Sequence, residues 1–138
     1  MKIKRVTVKK LLPYALAAWL GIIFLSLVII SFWIGFSVKK ECQKAQQEYR
    51  GDCVEALSAF VEDEKHSFKE RNSAVWVLGQ LGDPKALPVL KKYYTGEECQ
   101  HDKFLCQHEL KKAIKLAEGG FNITTLFWNV SPRPTIFP

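Results

Sequence analysis

No acidic side chain occurs among the first ten residues, and no charge of either sign occurs between Lys10 and Lys39. The uncharged stretch, Leu11–Val38, is 28 residues long and consists mostly of Leu, Ile, Val, Phe, Ala and Trp. A basic excess on the folded part is missing as well. The formal charge of +6 comes largely from Lys2, Lys4, Arg5, Lys9 and Lys10, whereas residues 39–138 carry 15 basic against 14 acidic side chains. Nucleic-acid binding needs that excess on the domain itself, because phosphate neutralisation supplies most of the affinity. A soluble basic domain and a nucleic-acid partner are therefore excluded. Also missing are a glycine-rich phosphate loop, a nucleophile elbow and an isolated carboxylate pair. Those absences point away from an enzyme, and no cofactor is implied.

What stands in the uncharged stretch is a membrane segment. As a helix, Leu11–Val38 would be about 42 Å long, against a hydrocarbon core of roughly 30 Å. Tyr14 and Trp19 toward one end and Trp33 toward the other suit the interfacial aromatic belts. Ser26 and Ser31 can return their hydroxyls to the helix backbone. A cleaved signal peptide has an apolar run of about 7–15 residues ending at small side chains. This run is twice as long and ends Trp33-Ile34-Gly35-Phe36-Ser37-Val38, so an uncleaved signal anchor is expected. Lys39, Lys40, Lys44 and Arg50 follow the span, but the undiluted cluster of five ahead of it favours an inside N-terminus. The rest of the chain is then exoplasmic.

After the span the pattern is helical, with no strand-type alternation before the C-terminal tail. Residues 39–49 read as a short polar helix, a possible continuation of the membrane helix. Arg50-Gly51-Asp52 breaks it, and Asp52 can cap the next helix, whose stripe is Val54, Leu57, Ala59, Phe60 and Val61. The same tripeptide is an integrin-binding motif, but without an exposed loop around it the match is a chance one.

Arg71 through Leu90 then spells a helix, a tight turn and a second helix. Ala74, Val75, Val77, Leu78 and Leu81 form the first apolar face, and Leu87, Val89 and Leu90 point back onto it. Gly82 can end the first helix in a left-handed conformation, Asp83 caps the second, and Pro84 takes its first position. Ala74 and Gly79 are small enough for two helices to approach closely. These twenty residues resemble a HEAT repeat, in particular the short subtype named after the phycobilisome lyases. The motif Arg-x-x-Ala-Ala-x-x-Leu-Gly-x-Leu-Gly-Asp-Pro-x-Ala-Leu-Pro-x-Leu departs mainly at Val75. The resemblance implies an α-solenoid and does not carry lyase activity with it. Gly51-Asp52 recurs as Gly82-Asp83, Ala56-Leu57 recurs as Ala86-Leu87, and Ala113–Gly120 echoes Ala74–Gly82. The expected architecture is all-α, with about two and a half repeats. It divides into a basic cytoplasmic N-terminus (1–10), a transmembrane anchor (11–38), a HEAT-like domain (39–120) and an extended tail (121–138). The last repeat helix is placed at 102–118.

Cys42, Cys53, Cys99 and Cys106 all follow the span, and an even number beyond the membrane reads as two disulfides. Three connectivities are possible, of which the sequence-local Cys42–Cys53 and Cys99–Cys106 is preferred. Neither pair fits within one continuous helix, because seven residues rise about 10 Å while a disulfide needs Cα atoms within about 7 Å. A zinc site from Cys99, His101, Cys106 and His108 is the alternative, on the repeated Cys-Gln-His tripeptide. Cys106 and His108 diverge on a helix, however, and the spacing matches no common zinc module, so no metal is expected. His66, among acidic residues, reads as a solvated helix end, Trp76 as a packed helix residue, and the lysine clusters as solvated faces.

The tail holds Phe121, Phe127, Trp128 and Phe137 with three prolines and one charge, a composition unlike a disordered segment. These aromatics are the expected partner-binding residues. Asn122-Ile123-Thr124 and Asn129-Val130-Ser131 are formal glycosylation sequons. The expected function is a non-enzymatic scaffold or accessory subunit, lying in the lipid bilayer and docking on subunits of an integral membrane complex. A lyase-related helper of a pigment or cofactor protein and a metal-dependent regulator are the rivals.

Overall fold

A computed structural model describes residues 5–99 and 104–126, and its regular elements across them are all helical. Helix α1 (Arg5–Glu48) is followed by α2 (Cys53–Glu62) and α3 (Phe68–Leu81). One turn of 3-10 helix (Pro84–Ala86) leads into α4 (Leu87–Tyr93), then come α5 (Gln107–Ala117) and a closing 3-10 turn (Ile123–Leu126).

At 44 residues, α1 is about 66 Å long, more than twice the thickness of a hydrocarbon core. It is long and apolar enough to cross a membrane. Ser26, Ser31 and Ser37 donate to the carbonyls of Ile22, Leu27 and Trp33, so their hydroxyls leave no unsatisfied donor facing lipid. Tyr14 and Trp33 are 19 residues apart, a rise of about 28 Å, which matches two interfacial belts. No break occurs at Lys39. The polar helix expected at 39–49 is the end of the long apolar helix itself, which runs to Glu48.

The helix boundaries follow from capping chemistry. Asp52 accepts from the Glu55 amide while the Glu55 carboxylate accepts from the Asp52 amide, and Ser67 and Glu70 repeat that box at α3. Gly82 closes α3 at φ 63°, ψ 23°, and Asp83 accepts from the Lys85 amide with Pro84 behind it. Helix α5 starts five residues later than the sequence pattern places it. Cys106 is its N-cap, and the Cys106 amide donates 2.8 Å to Asn72 Oδ1 on α3 instead of entering a helical ladder.

The domain has two layers. The end of α1 meets α3, and α3 meets α5, in one layer, while α2 meets α4 in the other. That is the stacking of a solenoid. Val38, Cys42 and Ala45 from α1 join Leu57, Phe60, Val75, Leu78, Leu90 and Leu110 in one core. Each fully buried leucine contributes about 1.5–3 kcal/mol of transfer energy before ordering costs. Ala59, expected on the buried stripe of α2, is half-buried, and Ala56 takes its place.

Gly79 is where α3 and α5 approach most closely. A Cβ there would lie 2.8 Å from Ala113 Cα and 3.0 Å from Ala113 Cβ. The neighbour is backbone and cannot swing aside. Overpacking of this kind costs about 1–3 kcal/mol, against about 1 kcal/mol gained in helix propensity. Gly79→Ala should therefore lower the melting temperature of the detergent-solubilised protein, and Gly79→Val should lower it further. A rise with Gly79→Ala would show that the two helices can separate freely.

Candidate functional site

Chemically distinctive side chains gather at the junction of α1 with α2 and around the loop between α4 and α5. At the junction, Ser31, Gly35, Val38, Cys42 and Ala45 form the buried stripe of α1, spaced alternately by four and three residues. Cys42 is bonded to Cys53 at the first turn of α2, with the Cα atoms 5.2 Å apart. Asp52, beside this staple, is committed to its capping box and to Lys85 Nζ at 2.9 Å. Its carboxylate is thus occupied by the fold, which leaves the Arg50-Gly51-Asp52 tripeptide as a helix boundary.

His66 departs from the sequence expectation. Its ring stacks on Phe60 at 3.7 Å and 11°, and Nε2 lies 3.1 Å from both Glu48 Oε2 and the Tyr49 hydroxyl. The Tyr49 hydroxyl donates to Asp63 Oδ2 at 2.7 Å. Burial, then that hydrogen bond, pushes the Tyr49 phenol up to about 12. This network ties the end of α1 to the α2–α3 turn. Next to it, the Lys44 ammonium at 2.9 Å holds the Glu70 carboxyl down to about 2, aided by the Ser67 hydroxyl.

Gln107 shapes the second region, and the sequence pattern gave it no role. It is buried, its Oε1 accepts from the amides of Thr95 and Gly96, and its Nε2 donates to the carbonyls of Tyr93 and Leu105. Three of the four bonds, those to Tyr93, Thr95 and Gly96, hold the two ends of the α4–α5 loop together. The repeated Cys-Gln-His tripeptide drew attention to its sulfur and imidazole groups, whereas its glutamine sets the loop.

Within that loop Cys99 Sγ lies 2.6 Å from Cys106 Sγ and accepts from the His108 amide at 3.1 Å. Both are free thiols in this structure, with their sulfurs about half an ångström beyond the S–S bond length. The Cys106 hydrogen bond, reinforced by the His108 amide, holds the Cys99 thiol below its ordinary value, while burial pushes Cys106 up. No group of three or more His, Cys, Asp or Glu side chains suited to a metal ion occurs among the described residues. His101, the fourth member of the zinc alternative, lies outside them.

Between this loop and the α2–α3 turn is an open groove of about 780 Å³, lined by Arg71, Phe68, Tyr93, Phe104 and Leu105 among others. Trp76 is half-buried against the core, as a packed helix residue should be. At the C-terminal end, Asn122 Nδ2 donates 3.0 Å to Gln80 Oε1 and Asn122 Oδ1 accepts from the Thr124 hydroxyl. The acceptor nitrogen of the first sequon is thus engaged in the folded chain. The closing 3-10 turn packs on α1, while Phe121 is 81% exposed. Phe127, Trp128, Phe137 and the second sequon lie outside the described residues.

A helical repeat domain carried on an apolar helix is the class this fold defines. Within it, residues 70–95 match the family of the PBS lyase HEAT-like repeat. No curated protein and no solved structure matches the chain. The matched segment holds α3, the Gly82-Asp83-Pro84 turn and α4, the one complete helical pair.

The cysteine geometry sets an order of reactivity. In reduced protein, Cys99 is the more exposed thiol and the stronger acid, so limited iodoacetamide followed by peptide mass mapping should modify it well before Cys106. Equal modification of both would contradict the arrangement.

Proposed function

We propose that the chain is a single-span membrane protein that holds its HEAT-like domain on the exoplasmic face, as an accessory or scaffold subunit of an integral membrane complex. The observation that carries this reading is the continuity of α1. The helix that is apolar enough to span lipid also supplies Val38, Cys42 and Ala45 to the core of the repeat domain. The domain is thereby held close to the bilayer at a fixed orientation, which favours recognition of neighbours in the same membrane. The Cys42–Cys53 bond supports an oxidising side. The basic N-terminal cluster supports the matching topology. Exposed Phe104, Phe121 and Ile123 offer further apolar contact. The aromatic tail to Pro138 extends that offer, and the role is one of binding without catalysis.

One experiment addresses side and docking together. A membrane-impermeant amine cross-linker added to the exoplasmic face of sealed vesicles should join exposed lysines such as Lys91, Lys111 and Lys112 to integral membrane subunits. Truncation after Gly120 should abolish those products while leaving the domain folded. Cross-links obtained only with a permeant reagent would place the domain inside. Full retention of them in the truncated protein would remove the tail from the docking surface.

A further inference from the structure

We propose that the groove around Arg71 is a receptor for one acidic side chain, presented on an extended segment of a partner protein with neutral or basic neighbours. Arg71 is 5% exposed, and a guanidinium carries five N–H donors. One of them is used: Nε donates 2.7 Å to the Val61 carbonyl, a bond that anchors α3 to the end of α2. The ring centroids of Phe68 and Tyr93 lie 5.7 and 5.5 Å from the guanidinium carbon. Among the described residues no carboxylate forms an ion pair with it, and its terminal nitrogens make no hydrogen bond. A buried cation with spare donors is unfavourable unless an anion completes it. The groove that Arg71 lines is open to solvent and falls within the size range of ligand pockets, about 300–1,000 Å³.

The rim has the opposite sign. Glu64, Glu97 and Glu98 are exposed around the groove, against Lys65 and against Lys92, whose ammonium is held by Glu62 at 2.6 Å. A cationic floor beneath an anionic rim repels polyanions and membrane phosphates. It accepts a single carboxylate that reaches the floor while uncharged or basic neighbours face the rim. Apolar atoms flanking that carboxylate would meet Phe68, Tyr93 and Phe104. The proposal rests on the docking function for the ligand being a protein segment. It is tested apart from that function, because peptide binding does not depend on the assembly.

The probes are three fluorescent hexapeptides: two are identical except for a central Glu or Gln between an apolar residue and flanking lysines, and the third has the central Glu flanked by glutamates. They are titrated against the full chain in lipid nanodiscs. The Glu peptide should bind about ten- to a hundredfold more tightly, the difference expected for a charge-assisted pair. Arg71→Gln should erase the preference. Because that variant also loses the internal bond to the Val61 carbonyl, Glu97→Lys with Glu98→Lys on the exposed rim gives a second measure. The paired change should weaken the lysine-flanked Glu peptide and strengthen one flanked by glutamates. Equal binding of the Glu and Gln peptides would overturn the proposal. So would a folded Arg71→Gln protein that keeps the preference, or rim variants that leave both flanking patterns unchanged.

Discussion

One helix is apolar over much of its length and part of the domain core at its end. Over Leu12–Ile30 nearly every side chain of α1 is apolar and exposed. From Ser31 onward one stripe of the same helix turns inward, while the side facing away from the domain becomes charged at Lys39 and Lys40. No turn separates the two regimes, so the register of the membrane segment fixes where Val38, Cys42 and Ala45 point. The remaining elements build on that placement. Cys42 sets the start of α2 through its bond to Cys53, and Tyr49 and Glu48 set the α2–α3 turn through Asp63 and His66.

A solenoid this short has little apolar surface to bury, and its stability rests on reinforcement at each end. At the membrane end the reinforcement is covalent, with a closed loop of about a dozen residues contributing on the order of 2–3 kcal/mol. At the far end it is the close approach of α3 and α5 at Gly79, together with the Gln107 bonds that hold the loop before α5. Surface ion pairs such as Lys44–Glu70 and Lys91–Glu118 add little, because both partners stay substantially hydrated. Arg71 adds to this reinforcement, because its Nε fastens α3 to the end of α2.

Much of this fold was legible because it rests on local chemistry. The uncharged stretch marked the long apolar helix, and Asp52, Gly82, Asp83 and Pro84 marked helix ends that the structure places within a residue or two. The repeat motif marked the complete helical pair. What was not legible depends on partners distant in sequence. His66 sits among charged neighbours and reads as solvated, yet a phenylalanine six residues back and a tyrosine just past the end of α1 enclose it. Gln107 is polar and unremarkable in sequence, and its role exists only because two loop ends converge on it. The start of α5 was misplaced because Asn72 takes the Cys106 amide, a contact between residues 34 apart.

The apolar helix and the first helix of the repeat domain are one continuous element, α1. Amide hydrogen exchange across Trp33–Ala45, measured on the full chain in lipid nanodiscs, tests it most directly. The account predicts unbroken protection through Ser37–Lys40, comparable to that of α3. Rapid exchange confined to Ser37–Lys40, with α2 and α3 still protected, would reveal a hinge at the membrane surface and contradict it.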